Sequence, residues 1–137
     1  MRKLKSSNEV LMLAMRKQGF YEQAESVSAY KRKKITELIF NLCDVTGVSE
    51  LALKSASRKR NLVEMRQLFF AIVWNTPNIR IGCKNIGLYM GGRDHTTVLY
   101  GKDVHKALYE VDKDLKERTD NIIEKIQSKV DYKIYNV

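Results

Sequence analysis

Apolar residues recur along this chain at the three-to-four-residue spacing of helices, and one proline and seven glycines leave that pattern few interruptions. Ile35, Leu38, Ile39 and Leu42 fall at i, i+3, i+4 and i+7. They predict an amphipathic helix that starts near the basic run Lys31-Arg32-Lys33-Lys34 and breaks at Thr46-Gly47-Val48. Ser49 then caps a short helix to about Lys54, and residues 55–60 read as a polar, basic loop. Asn61 with Glu64 three residues on has the form of a capping box, and Leu62, Met65, Phe69, Ile72 and Val73 continue at helical spacing until Thr76-Pro77 stops them. A short helix follows over about residues 83–90. Gly91-Gly92 makes a tight turn, Asp94 caps what comes next, and Val98, Leu99, His105 and Leu108 face inward along a helix to about Tyr109.

Beyond Asp112, the residues Leu115, Ile122, Ile123, Ile126 and Val130 mark a last helix whose other faces carry charges of both signs, which suits packing or a partner. At the front, Asn8 caps a helix through Lys17 that ends at Gly19, and a weaker helical stretch covers residues 21–30. The expected fold is all-α: a helical bundle containing a helix-turn-helix, with N- and C-terminal helical extensions. Three parts are expected. Residues 1–34 form a basic extension joined through residues 30–34, residues 35–112 the helix-turn-helix domain, and residues 113–137 the packing or partner-binding helix. A chain of 137 residues buries roughly two-thirds of its unfolded surface, enough for one core without disulfides.

Charge sharpens the picture. The formal net charge is +9, and its excess is graded: residues 1–34 hold nine Lys and Arg against three Asp and Glu, residues 35–110 ten against seven, and residues 111–137 six of each. Such a distribution suits a polyanion, because every cation that meets a phosphate releases condensed counterions without reading sequence. The apolar run at residues 10–15 is too short for a signal-peptide core, and no stretch approaches the ~20 apolar residues of a membrane span. Cys43 and Cys83 stand apart with no metal-ligand spacing, so the chain is expected to be reduced and to stay in the cytoplasm.

The chemistry-bearing feature is a short helix, a glycine turn and a second helix that opens on Asp94, His95, Thr96 and Thr97. An α-helix fits the major groove of duplex DNA, and the first turn of a recognition helix points at base edges. Asp94 can accept from a cytosine amino group and His95 can donate to a purine or phosphate. The methyls of Thr96 and Thr97 can pack on those of thymine. Spacing alone equally suits a plain N-cap followed by an ordinary first turn.

The run Ile86-Gly87-Leu88-Tyr89-Met90-Gly91-Gly92-Arg93-Asp94-His95-Thr96-Thr97-Val98 closely resembles the signature IG-x-x-FGGRDHTTV of the C-terminal DNA-binding domain of the bacterial replication initiator DnaA. The likeness extends upstream through Arg58-Lys59-Arg60 and Arg66-Gln67 and covers residues 35 to about 108. It implies that Arg93 through Thr97 enter the major groove, and that a loop arginine, Arg58 or else Arg60, reaches the adjacent minor groove, with Lys59 beside it. It also implies that the helix bearing Arg66 and Gln67 lies against the DNA backbone, and that Lys84 crosses the phosphates. Together these would define a short, asymmetric site that a monomer can read.

The chain departs from the pattern at Met90, where the family usually has Phe, at Ala56 and Ser57, where relatives are often more basic, and in a longer connection over residues 75–85. It has no G-x-x-x-x-G-K-[ST] phosphate loop, so no ATP turnover and no nucleotide are expected. His95 and His105 are ten apart and cannot form an i, i+4 metal pair, and adjacent Asp94 and His95 do not make a hydrolase relay. Asp112 and Asp114 read as solvated surface, and Met65, Phe69 and Trp74 as core. The expected protein is therefore non-enzymatic, without cofactor, catalytic residue or metal. It binds double-stranded DNA at sites like those of DnaA, in replication initiation or its regulation, is associated with the nucleoid, and has replication proteins as further partners. A transcriptional regulator and a protein-interaction module on the same scaffold are the alternatives.

Overall fold

A computed structural model describes residues 27–137. The helix expected at residues 8–17, and most of the stretch at 21–30, fall outside the described residues. Helix α1, Ala29–Thr46, opens on Ser28, whose hydroxyl oxygen accepts the Lys31 N–H at 3.2 Å, and closes on Gly47 at φ 76°. Residues 30–34 are thus the first turns of this helix, because Ser28 supplies the cap and nothing in the basic run interrupts it. Its stripe, Ile35, Leu38, Ile39 and Leu42, is fully buried as the spacing predicts. Helix α2, Glu50–Lys54, is capped by Ser49, which accepts the Ala52 N–H at 3.0 Å.

Helix α3, Arg60–Asn75, starts with Lys59 at the N-cap position and no side chain capping it. The expected capping box therefore does not form. Asn61 already lies inside the first turn, and Glu64 turns to Arg60 and to Arg118, each at 3.3 Å. Burial on α3 also exceeds one stripe: Leu68, Phe69, Phe70, Ala71, Ile72 and Val73 are all enclosed. This helix is the spine of the core. A 3₁₀ turn, Pro77–Ile79, follows it and seats Ile79 in the same core.

Helix α4 spans Cys83–Tyr89, α5 spans His95–Val111, and α6 spans Lys113–Gln127. Along α5, Val98 and His105 are buried and Leu108 partly so, but Leu99 is 39 % exposed and turned away from the core. Trp74, expected in the core with Met65 and Phe69, is only half-buried. Helix α6 is capped by Asp112, whose carboxylate accepts the Leu115 N–H at 3.1 Å, and it packs against α1 and α5 through Leu115, Thr119 and Ile126.

The terminal segment departs from its expected helix, which ends at Gln127 and leaves Val130 outside. Residues 128–137 fold back over the bundle instead. Gln127 donates to the Tyr132 carbonyl at 2.6 Å and accepts the Ile134 N–H at 2.9 Å, while buried Thr76 donates to the Tyr135 carbonyl at 3.1 Å and accepts its N–H at 3.0 Å. Tyr132 and Ile134 enter the core, and Asn136 Nδ2 lies 3.0 Å from Nε2 of buried His105. The described residues are all-α, with no strand, and none of their helices is long and apolar enough to cross a membrane.

Candidate nucleic-acid interface

Helix α4, its turn and α5 fit together because glycine stands wherever a side chain would collide. Gly91 and Gly92 both take φ 75°, a left-handed conformation that other residues resist. A Cβ on Gly87 would lie 1.9 Å from the Arg93 carbonyl oxygen, and one on Gly91 would lie 2.3 Å from that of Lys54. The Gly87 carbonyl also accepts the N–H groups of Arg93, at 2.9 Å, and Met90, at 3.1 Å, which folds the turn onto α4. Met90 itself is fully buried, so the exchange of Phe for Met falls in the core.

Asp94, His95, Thr96 and Thr97 are all exposed at the start of α5. Asp94 occupies the N-cap position, but its carboxylate is used sideways: it accepts the Thr96 hydroxyl at 2.6 Å and lies 3.0 Å from His95 Nδ1. The bond from Thr96 is the main reason the Asp94 carboxyl is held below its ordinary range. The helix start therefore presents an ordered polar edge that stays anionic at Asp94 and carries both donors and acceptors.

Two expected contact residues turn inward. Arg66 is buried, and its guanidinium donates to the carbonyls of Leu53 at 2.6 Å, Ser57 at 2.7 Å, Ser55 at 2.9 Å and Ala52 at 3.3 Å. Arg93 is half-buried and donates to the carbonyls of Met90 at 2.7 Å and Lys54 at 3.1 Å, and also to that of Ser55. Both guanidinium groups sit below their ordinary range through burial, with Arg93 adding repulsion at Arg66. These arginines satisfy the open carbonyls at the end of α2 and bind the following loop to the helix-turn-helix. Spacing in sequence gave no sign of this, because the acceptors are main-chain atoms brought together by the fold.

The loop they hold carries the cations that face outward. Ser55 Oγ accepts the Ser57 N–H at 3.2 Å and Ser57 Oγ accepts the Lys59 N–H at 3.3 Å, so the two serines tighten the backbone on either side of Ala56. Arg58, Lys59 and Arg60 are exposed, and Arg58 shares one open groove with Ala56, Gly91, Arg93 and Thr97. The loop and the start of α5 are thus neighbours. Lys84 is exposed on the first turn of α4. Gln67 is half-buried where α3 meets α5: a Cβ on Gly101 would lie 3.4 Å from its Cγ and 2.8 Å from the Phe70 ring.

A short helix, a double-glycine turn and a second helix with an exposed polar start define a helix-turn-helix protein. Residues 35–104 match the family described as the bacterial dnaA protein helix-turn-helix, more than half of the chain, and the chain belongs to that family. Among curated proteins it is similar to the chromosomal replication initiator protein DnaA of Synechococcus sp. (strain JA-2-3B'a(2-13)), at 28% identity over 93 residues, 68% of this chain and 19% of that protein. It is also similar to DnaA of Oenococcus oeni, at 31% over 107 residues, 77% of this chain and 23% of that protein. With DnaA of Gloeobacter violaceus it shares 38% identity over 69 residues, 50% of this chain and 14% of that protein. The chain spans about a fifth of the length of the first of these relatives. No solved structure matches it significantly.

Proposed function

We propose that this protein binds double-stranded DNA sequence-specifically, at sites like those of DnaA, and acts in replication initiation or its regulation. The observation that carries the reading is the shared face made by the exposed residues 94–97 and the exposed Arg58 loop, with Arg66 and Arg93 fixing one to the other. In the major groove Asp94, His95, Thr96 and Thr97 discriminate base pairs, while Arg58 enters the neighbouring minor groove. Lys59, Arg60 and Lys84 meet phosphates. Arg66, Arg93 and Gln67 support the interface from within and are not themselves the groups that touch DNA. The protein works by binding, without nucleotide or cofactor, in the cytoplasm on the nucleoid, and replication proteins are its candidate further partners.

Selection from a random duplex library, followed by affinity measurements on the selected and scrambled duplexes, tests this. His95→Ala or Thr97→Ala is expected to weaken binding to the selected site by about 1–3 kcal/mol and to relax preference at one or two base pairs. Arg58→Ala is expected to lose preference at the base pairs whose minor groove the arginine enters. If both helix variants kept the full preference of the unaltered protein, the major-groove reading would be wrong.

A further inference from the structure

Half-exposed Trp74 stands at the end of α3, where the connection to α4 begins. Two cations lie over its ring: the Arg80 guanidinium carbon, from that connection, 4.1 Å from the ring centroid, and the Lys102 ammonium, from α5, at 4.9 Å. Lys102 also pairs with Asp103 at 3.0 Å, and Lys31 of α1 donates to the Arg80 carbonyl at 2.7 Å. Cys83, the first residue of α4, feels the charges of both Arg80 and Lys102, which puts the stacked pair at the start of α4, next in sequence to Lys84. Like charges gathered at a partly exposed ring are a weak device for folding, since the stacking gain there is small and the repulsion opposes it. An indole that holds a guanidinium flat does, however, reduce the freedom the group must lose when it meets an anion.

We infer that exposed Arg80, stacked on Trp74 with the largely enclosed Lys102 across the same ring, forms a second contact to the duplex, directed at the sugar-phosphate backbone and blind to sequence. The inference rests on the duplex-binding reading above. Lys102 lies seven residues, about two turns, along the same helix as His95 and continues that flank of α5. In a helix-turn-helix the first helix crosses the backbone when the second enters the groove, so the start of α4 meets the strand beyond the bases being read. A continuous line of phosphates therefore fits this cluster better than the scattered carboxylates of an acidic protein. Arg80 belongs to the connection between α3 and α4, outside the turn that carries residues 94–97, so the contact would widen this protein's footprint on one side.

The test compares unaltered protein with Arg80→Ala and Trp74→Leu on the selected and scrambled duplexes between 50 and 200 mM salt, each variant first checked for its melting transition. Arg80→Ala is expected to weaken binding to both duplexes by the same factor and to leave their ratio unchanged. It should also flatten the plot of log affinity against log salt by about 0.9, so that the unaltered protein loses roughly threefold more affinity than the variant over that range. Trp74→Leu keeps every charge, and is expected to weaken both duplexes while keeping the original slope. An unchanged slope and affinity in Arg80→Ala, with sequence preference intact in the unaltered protein, overturns the inference and directs the cluster to an acidic protein partner. A change in the ratio for Arg80→Ala overturns it as well, because the residue would then read bases. Absence of preference in the unaltered protein instead sinks the duplex-binding reading itself.

Discussion

Arg66 shows how one buried side chain can hold a loop whose own cations face outward. Its guanidinium takes four main-chain carbonyls around the end of α2, so Arg66→Ala leaves buried acceptors open and is expected to cost about 3 kcal/mol in chemical unfolding. Arg66→Lys should recover little, because a single ammonium cannot span that fork of acceptors. Gly87→Ala is expected to be worse, since its methyl would sit 1.9 Å from the main-chain oxygen of Arg93. Circular dichroism of that variant should show a lost or strongly lowered transition. At this scale the sequence was only partly legible. The polar start at residues 94–97 and the loop cations lie exposed as their types suggest, yet Arg66 and Arg93 look like any surface arginine until the fold brings carbonyls to them. Trp74 and Leu99 escaped for the converse reason: apolar type and helical spacing say which face a residue is on, but not where a neighbouring helix ends and leaves that face open.

Among the elements, every helix expected within residues 29–127 is present, because capping serines, glycine breaks and the Thr76-Pro77 stop each act locally. Helix α3 has its N-cap position two residues earlier than the spacing predicts, at Lys59, since Asn61 and Glu64 have the spacing of a capping box but the chain is already helical at Arg60. The terminal segment was legible only to Gln127, since its fold-back depends on distant partners such as Thr76, 59 residues away from Tyr135. Thr76→Val preserves shape while orphaning both main-chain groups of Tyr135. It is expected to destabilise the protein by about 2 kcal/mol and to speed amide exchange at Tyr135.

For the whole molecule, acidity should report on how the terminal segment meets α5. Burial drives the His105 imidazole from an ordinary value near 6.5 down to about 4, and Asn136 faces its Nε2, so the folded state holds it neutral. Well above pH 6.5 neither folded nor unfolded chain protonates this group, and it contributes no slope. As pH falls below that value the unfolded chain binds a proton that the folded one refuses. Stability therefore declines through the window, by up to about 3 kcal/mol near pH 4 from this residue. Denaturation midpoints measured at pH 7 and pH 5 should differ, and His105→Gln should remove most of that difference. If the variant kept the same pH slope, the titrating group would lie elsewhere.

The loop over residues 55–59 is tied down within the protein itself, since two guanidinium groups take the Ser55 and Ser57 carbonyls and two serine hydroxyls take the Ser57 and Lys59 N–H groups. Docking would then demand little ordering entropy from the protein side. Titration calorimetry should accordingly return a heat-capacity change that scales with the area covered, with no surplus from coupled folding, and stopped-flow traces should rise in one phase whose rate tracks DNA concentration.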